Sequence, residues 1–331
     1  MSRVAILGAG SWGTALAIVL SRTAHAHEVW LWTRDSNHAQ SIWRSKENRK
    51  YLPGINVPAA IRISPSMAEA LRGAAIVVGA MPSAHARKVY SAAADAIPAG
   101  AIVVSATKGL EPGTHARMSE VIASAVPGAR IAVLSGPSFA LEVAKGSPTA
   151  VVIASADATL TADLLEQFAA PNFRLYGNDD VLGVELAGAM KNVIAIAAGM
   201  CQGLGLGANT LAALITRGLA EMARLAAALG ARPETLSGLA GLGDLVLTCN
   251  GVLSRNRHVG MELAKGHSIS EILAGMSGVA EGVDTAKPLL ALARERNVEL
   301  PITMQVEAIL RGDQSPRAAI REIMERPQKK E

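Results

Sequence analysis

The stretch Gly8-Ala9-Gly10-Ser11-Trp12-Gly13 stands between an apolar run at residues 4–7 and an apolar, helix-periodic run that ends at Leu20. A G-x-G-x-x-G in that setting predicts a strand, a tight turn and a helix, the opening of a βαβ unit. Gly8 permits the turn, Gly10 lets the backbone approach a pyrophosphate, and Gly13 lets the helix pack closely on the strand. Ser11 and Trp12 then line the loop at the helix N-terminus, whose free N–H groups attract an anion. A glycine-rich turn that binds nothing has the same letters, so the motif alone is weak. Its place at the start of a βαβ pattern favours a dinucleotide. The same glycines interrupt what would otherwise pass for a signal peptide.

Short apolar runs continue at residues 29–32, 76–79, 102–105, 131–135 and 151–154, separated by helical patterns, a rhythm that predicts a mostly parallel, doubly wound sheet. After residues 173–176 the strand signals stop, and Asn178-Asp179-Asp180 is placed to cap a long helix from Val181. Helical period then covers residues 181–200, 210–229, 255–265, 283–296 and 304–311. The expectation is α/β: an N-terminal Rossmann-like, doubly wound sheet over residues 1–180, then an all-helical substrate-binding and catalytic domain over 181–331. A chain of 331 residues is long enough for two cores. With half of its residues hydrophobic and 18% charged, it reads as a packed enzyme rather than a disordered chain.

Thirty-two basic and 28 acidic residues are mixed without a single-sign block, which excludes an extended nucleic-acid surface. The modest basic excess favours small anionic substrates. The one basic run, Arg326-Pro327-Gln328-Lys329-Lys330, is expected to be a solvated tail. Cys201 and Cys249 share no CxxC spacing, arguing against a disulfide scaffold or zinc site and for a reducing, cytoplasmic setting. No run reaches the roughly 18 uninterrupted apolar residues of a membrane helix, since the longest candidate carries Glu185 and Lys191, so no span is expected.

Three places carry the candidate chemistry. At the end of the second strand, where an NAD enzyme offers Asp or Glu to the ribose, Thr33-Arg34-Asp35 presents Arg34 first. A guanidinium there suits a 2′-phosphate and tilts the cofactor from NADH towards NADPH, although Asp35 could serve a 2′-hydroxyl and the two could be a surface pair. Ligands in such sheets sit beyond the strands' carboxyl ends, which singles out Lys108 in Ala106-Thr107-Lys108-Gly109 and the turn Ser135-Gly136-Pro137-Ser138. In the long helix, Lys191 interrupts an apolar surface. Desolvation and neighbouring positive charge would lower its pKa and let it exchange protons; a snorkelling lysine, or one paired with Glu185 or another carboxylate, is equally open. Ser254 is placed to cap a helix that presents Arg255 and Asn256 to a phosphate, while Arg257 reads as a surface charge. Asp244, in Gly241-Leu242-Gly243-Asp244, reads either as an anion-site residue or as a cap.

Through Gly8-to-Ala17 (GAGSWGTALA), Ala106-to-Glu111 (ATKGLE), Ser135-to-Ala140 (SGPSFA), Gly183-to-Gly199 (GVELAGAMKNVIAIAAG), Gly241-to-Leu245 (GLGDL) and Ser254-to-Arg257 (SRNR), the chain resembles the bacterial NAD(P)-dependent glycerol-3-phosphate dehydrogenases from about residue 3 to about residue 311. The resemblance implies reversible hydride transfer between dihydroxyacetone phosphate and sn-glycerol 3-phosphate, supplying glycerophospholipid synthesis. It implies Lys191 as the proton-transfer residue, with Lys108, Gly136, Ser138, Asp244, Ser254, Arg255 and Asn256 on the substrate. It places Ser11, Trp12, Arg34, Tyr51, Lys108, Ala140, Arg255, Val279 and Glu281 on the cofactor, NADPH or NADH, and implies a cytoplasmic homodimer. The Ala24-His25-Ala26-His27 stretch departs from the family by its length and histidines and is read as an extended surface loop, with no metal assigned. Two rivals stay open on the residues: a dehydrogenase of hydroxy acids or sugar acids, and a non-catalytic NAD-binding sensor or assembly protein.

Overall fold

The computed structural model describes residues 2–276 and 278–327, so Gln328, Lys329 and Lys330 of the basic run lie outside the described residues. The chain divides into two compact units, Met1–Glu185 and Leu186–Glu331.

The first unit holds β1 (Arg3–Leu7), α1 (Ser11–Leu20), β2 (Glu28–Trp32), α2 (Ser36–Ser45), β3 (Glu47–Asn48), β4 (Leu52–Asn56), β5 (Arg62–Ser64), α3 (Met67–Leu71), β6 (Ala74–Gly79), α4 (Ser83–Ala93), β7 (Ile102–Ser105), α5 (Met118–Ala125), β8 (Arg130–Ser135), α6 (Ala140–Lys145), β9 (Thr149–Ala154), α7 (Ala158–Gln167) and β10 (Phe173–Asn178). Eight strands form one sheet in the order β10-β9-β8-β7-β6-β1-β2-β5, and β3 and β4 form a separate hairpin. Because side chains alternate across a strand, each apolar run feeds two cores. Val4, Ile6, Val78 and Val104 pack with Leu16 and Ile18 of α1 on one face. Ala5, Leu7, Val77 and Val103 pack with Tyr90 and Ile122 on the other. Each buried valine, leucine or isoleucine among them contributes roughly 1.5–3 kcal/mol. The sheet is parallel from β5 to β8, but β9 pairs antiparallel to β8 and β10 runs parallel to β9, so the last two strands are reversed.

At the start of α8 (Val181–Gly203), Asp180 accepts from the Gly183 N–H at 2.8 Å, the N-cap role expected of it. The division between the units falls within this helix. It is the one helix among the described residues long and apolar enough to cross a membrane by length and composition, and 89% of its apolar window is buried in the protein. The second unit continues with α9 (Ala208–Ala228), α10 (Pro233–Ser237), α11 (Asp244–Asn250), α12 (Arg255–Ala264), α13 (Ile269–Ala274), α14 (Glu281–Glu295), α15 (Pro301–Arg311) and α16 (Pro316–Met324). A π-helical turn over Leu239–Gly243 runs directly into α11. Helices α8 and α12 cross backbone to backbone: a Cβ on Gly199 would lie 1.9 Å from the Arg257 carbonyl oxygen, and one on Gly260 1.9 Å from that of Ile196.

The histidine stretch before β2 is more than a surface loop. His27 is buried, with Nδ1 2.9 Å from Ser2 Oγ and Nε2 2.9 Å from the Gln167 carbonyl, which fastens the N-terminus to the end of α7.

Candidate active site

In the first unit, the glycines of the opening loop divide by what surrounds them. Gly8 has φ +119°, and a Cβ there would meet the Ala80 carbonyl oxygen at 2.8 Å. A Cβ on Gly13 would lie 1.9 Å from the Gly8 oxygen. Both are therefore demanded by the protein's own packing. Gly10, the N-cap of α1, has nothing within 4 Å of its Cβ position, so protein packing does not account for it. An open glycine at a helix N-terminus, with no side-chain cap on the first-turn N–H groups, fits a ligand's pyrophosphate.

The loop is held from below by Asn48, which sequence reasoning missed. Fully buried, it donates through Nδ2 to the Ala9 carbonyl at 2.9 Å and to Thr14 Oγ1 at 2.8 Å. Asn48 Oδ1 accepts from the Tyr51 N–H, and His38, whose Nε2 lies 3.3 Å from the same Ala9 oxygen, meets the Tyr51 ring edge-on at 5.3 Å. Tyr51 is thus brought up to the loop. Ser11 and Trp12 open α1 half-buried, and the Trp12 indole Nε1 has no acceptor among the described residues. At the end of β2, Asp35 is committed elsewhere: its Oδ1 accepts from the Asn37 and His38 N–H groups and caps α2. Arg34 beside it is exposed.

Beyond the carboxyl ends of β7 and β8, Lys108 Nζ donates to the Gly136 carbonyl at 2.8 Å and Ser138 Oγ donates to the same oxygen at 2.9 Å. Lys108, Gly136 and Ser138 are therefore one cluster, although they come from two loops. Ala140 starts α6 two residues on.

In the second unit, Lys191 lies on the buried face of α8. Its Nζ is 2.6 Å from Asp244 Oδ1 and 2.6 Å from Thr248 Oγ1, and all three residues are buried. Of the two readings open in the sequence, the structure shows the one in which Lys191 is paired with a carboxylate, that of Asp244. Glu185 is not the partner. It accepts from Arg117 Nη1 at 2.7 Å and from the Ser119 N–H and Oγ at 2.7 and 2.6 Å. Burial pushes the Glu185 carboxyl above its usual range against those donors. Thr248 is one helical turn from Asp244 on α11, a spacing that could have pointed to it, but it closes an apolar run that reads as core.

Ser254 caps α12, accepting from the Arg257 N–H at 3.2 Å. Asn256 turns inward: its Nδ2 donates to Asn192 Oδ1 at 2.9 Å, and its Oδ1 accepts from the Gly282 N–H at 2.9 Å, which ties α12 to α8 and α14. Arg255 points out of the helix. A Cβ on Gly278 would lie 2.4 Å from Arg255 Nη1, so the guanidinium lies across bare backbone, near Glu281. Val279 is exposed and Glu281 begins α14. Arg257 is not a surface charge; it is only 8% exposed, because its backbone is pressed against Gly199. Among the described residues no group of three metal-ligating side chains is found.

What each half can do is distinct. The loop at Gly10 suits a dinucleotide, and the Lys191–Asp244–Thr248 cluster holds the lysine amine out of bulk water. Residues 3–161 match the model for the N-terminus of NAD-dependent glycerol-3-phosphate dehydrogenase, and residues 180–321 match the model for its C-terminus. The chain is 52% identical over 331 residues to the glycerol-3-phosphate dehydrogenase (NAD(P)+) of Koribacter versatilis, covering 99% of this chain and 98% of that protein. It is 51% identical to the protein of the same name from Acidobacterium capsulatum, covering 99% of each. Among solved structures, glycerol-3-phosphate dehydrogenase from Coxiella burnetii superposes with a TM-score of 0.93 at 42% identity, over 98% of this chain and 99% of that one.

Proposed function

The chain belongs to the NAD-dependent glycerol-3-phosphate dehydrogenase family, and from that premise we propose that Lys191 is the acid of its reaction, the reduction of dihydroxyacetone phosphate to sn-glycerol 3-phosphate. The enzyme is an oxidoreductase that uses NADH or NADPH. When bound, the nicotinamide supplies the hydride that C2 of the ketone receives. Lys191 donates a proton to the carbonyl oxygen as charge develops there, so that hydride plus proton give the secondary alcohol. Asp244 and Thr248 position the ammonium by accepting its hydrogen bonds, and the observation that carries this reading is their 2.6 Å contacts in a buried setting.

Roles elsewhere follow the same reading. The loop from Gly8 to Gly13 receives the pyrophosphate. Arg34 receives the 2′-phosphate of NADPH, a preference supported by the engagement of Asp35 in capping α2. Lys108, Gly136 and Ser138 on the first unit, and Asp244, Ser254, Arg255 and Asn256 on the second, serve the substrate, with Arg255 as the phosphate contact and Asn256 acting through the backbone it fastens. Tyr51, Ala140, Val279 and Glu281 complete the cofactor's surroundings. Two free thiols, Cys201 and Cys249, favour a reducing, cytoplasmic setting, and a homodimer is the proposed assembly.

Following nicotinamide absorbance with dihydroxyacetone phosphate, glyceraldehyde 3-phosphate and a set of keto acids, each with NADH and with NADPH, tests the substrate. Turnover is expected with dihydroxyacetone phosphate, fastest with NADPH. Turnover confined to keto acids would move the chain to a different substrate class, and binding of cofactor without any turnover would make it a sensor.

A further inference from the structure

A cavity in the helical unit takes no part in the chemistry above. It has a volume of about 170 Å³ and lies between the end of α8 (Ala198, Cys201, Gln202), the start of α9 (Gly207, Ala208) and Arg257 of α12. Arg257 follows Arg255 by two residues, roughly 200° around the helix, so it faces away from the side that carries Arg255.

Two observations on this cavity point to the same kind of occupant. The first is the Arg257 side chain: in a residue only 8% exposed, its guanidinium finds one acceptor among the described residues, the Gly251 carbonyl, 3.5 Å from Nη1, and no carboxylate. Buried cations are ordinarily paired, because an uncompensated one is costly. The Gly199 and Gly260 crossings hold this stretch of α12 backbone to backbone against α8, so the Arg257 main chain is fixed beside the cavity. The second is the helix N-terminus beside it. The 21-residue α9 has Gly207 as its N-cap, which offers no side chain to cap it and leaves its first N–H groups and the positive end of its dipole at the cavity. A guanidinium fork and a helix N-terminus together favour a tetrahedral oxyanion.

We propose that this pocket binds a small phosphate dianion, held by Arg257 and the first N–H groups of α9, at a site separate from the reacting centre. The cavity has room for the phosphate and a short carbon chain, and Leu211 on its wall suits such a chain. The occupant is therefore either free phosphate or a short organic phosphate.

Calorimetric titration of the full chain with inorganic phosphate, in wild type, Arg255→Ala, Arg257→Gln and the double variant, tests this. Phosphate binding should survive in Arg255→Ala and weaken roughly tenfold or more in the double variant, the scale of losing a charge-assisted, bidentate contact. Arg257→Gln alone should leave the Michaelis constant for dihydroxyacetone phosphate within about twofold of wild type. If Arg257→Gln does not fold, Arg257→Lys, which keeps the charge without the fork, should weaken phosphate binding by a smaller factor. Repeating the titration with propyl phosphate separates the two sources: tighter binding than inorganic phosphate marks an organic phosphate as the occupant, equal binding marks the free ion. Identical heats in Arg255→Ala and the double variant overturn the proposal. So does a change in oligomeric state of Arg257→Gln with phosphate binding unaltered, because the guanidinium would then pair with a second copy of the chain. Loss of all phosphate binding in Arg255→Ala alone would also overturn it, while leaving the role of Arg255 intact.

Discussion

At the scale of single residues, neighbours at the end of β2 do different work. Asp35 spends its carboxylate on two N–H groups of α2, and Arg34 stands exposed just beyond the end of β2, where the proposed cofactor's ribose is read to lie. Arg34→Asp should lower the ratio of NADPH to NADH efficiency, measured as kcat/KM with each cofactor, by about tenfold or more, as loss of one guanidinium–phosphate pair implies; an unchanged ratio in a folded protein makes Arg34 a bystander. Arg255 sits at a helix N-terminus with its guanidinium over the bare backbone of Gly278. Arg255→Ala should raise the Michaelis constant for dihydroxyacetone phosphate far more than that for unphosphorylated dihydroxyacetone, and equal losses with both would exclude a phosphate-specific role. These candidates were legible in the sequence because each has a local signal: Arg34 is a basic residue where an acidic one is expected, and Arg255 follows a serine placed to cap a helix. Asn48 was not legible, since nothing in a two-residue strand of a short hairpin announces a side chain that holds a loop 39 residues away. Arg257 was misread because its burial comes from Gly199 on another helix, a pairing that no local pattern contains.

At the scale of elements, capping is supplied locally in some helices and from a distance in others. Asp180, Ser254 and Ser268 cap the helices they precede. Helix α15 begins at Pro301 after Leu300, which cannot cap. Its first N–H groups are met instead by the buried Glu221 of α9, whose two carboxylate oxygens accept from Ile302 N at 2.8 Å, Thr303 N at 2.9 Å and Thr303 Oγ1 at 2.6 Å. Glu221→Ala strands those donors and should lower unfolding stability in denaturant by about 1–3 kcal/mol, with no change in cofactor affinity; a neutral effect would mean that water replaces the carboxylate. The strands of the main sheet were legible from their apolar runs, apart from the three-residue β5, and the long helices from their period. Strand direction was not. The reversal of β9 and β10 leaves no trace in a hydrophobic pattern, because alternation across a strand is the same whichever way it runs. The π-helical turn before α11 was hidden too, since the glycines of Gly241-Leu242-Gly243 read as a loop.

At the scale of the whole molecule, stability is coupled to pH through paired carboxylates. Glu111, after β7, accepts from Arg87 Nε and Nη2 of α4, both at 2.7 Å, and those bonds hold its carboxyl below the ordinary glutamate value of 4.5. A depressed carboxylate contributes stability above its ordinary value, and that contribution is lost as pH falls through the folded-state value. Glu111→Gln should therefore be less stable than wild type near neutral pH, with the gap closing on acidification below 4.5; a gap that stays constant to low pH would show that shape rather than charge is at stake. The central claim concerns the buried cluster of Lys191, Asp244 and Thr248, and turnover of Lys191→Ala with dihydroxyacetone phosphate tests it most directly. A folded variant that binds cofactor with wild-type affinity should lose roughly 10²–10⁴-fold in kcat, the usual worth of a positioned proton donor, and Lys191→Arg should recover little of it. Near-normal turnover in a folded Lys191→Ala protein would contradict the assignment of the proton to this lysine.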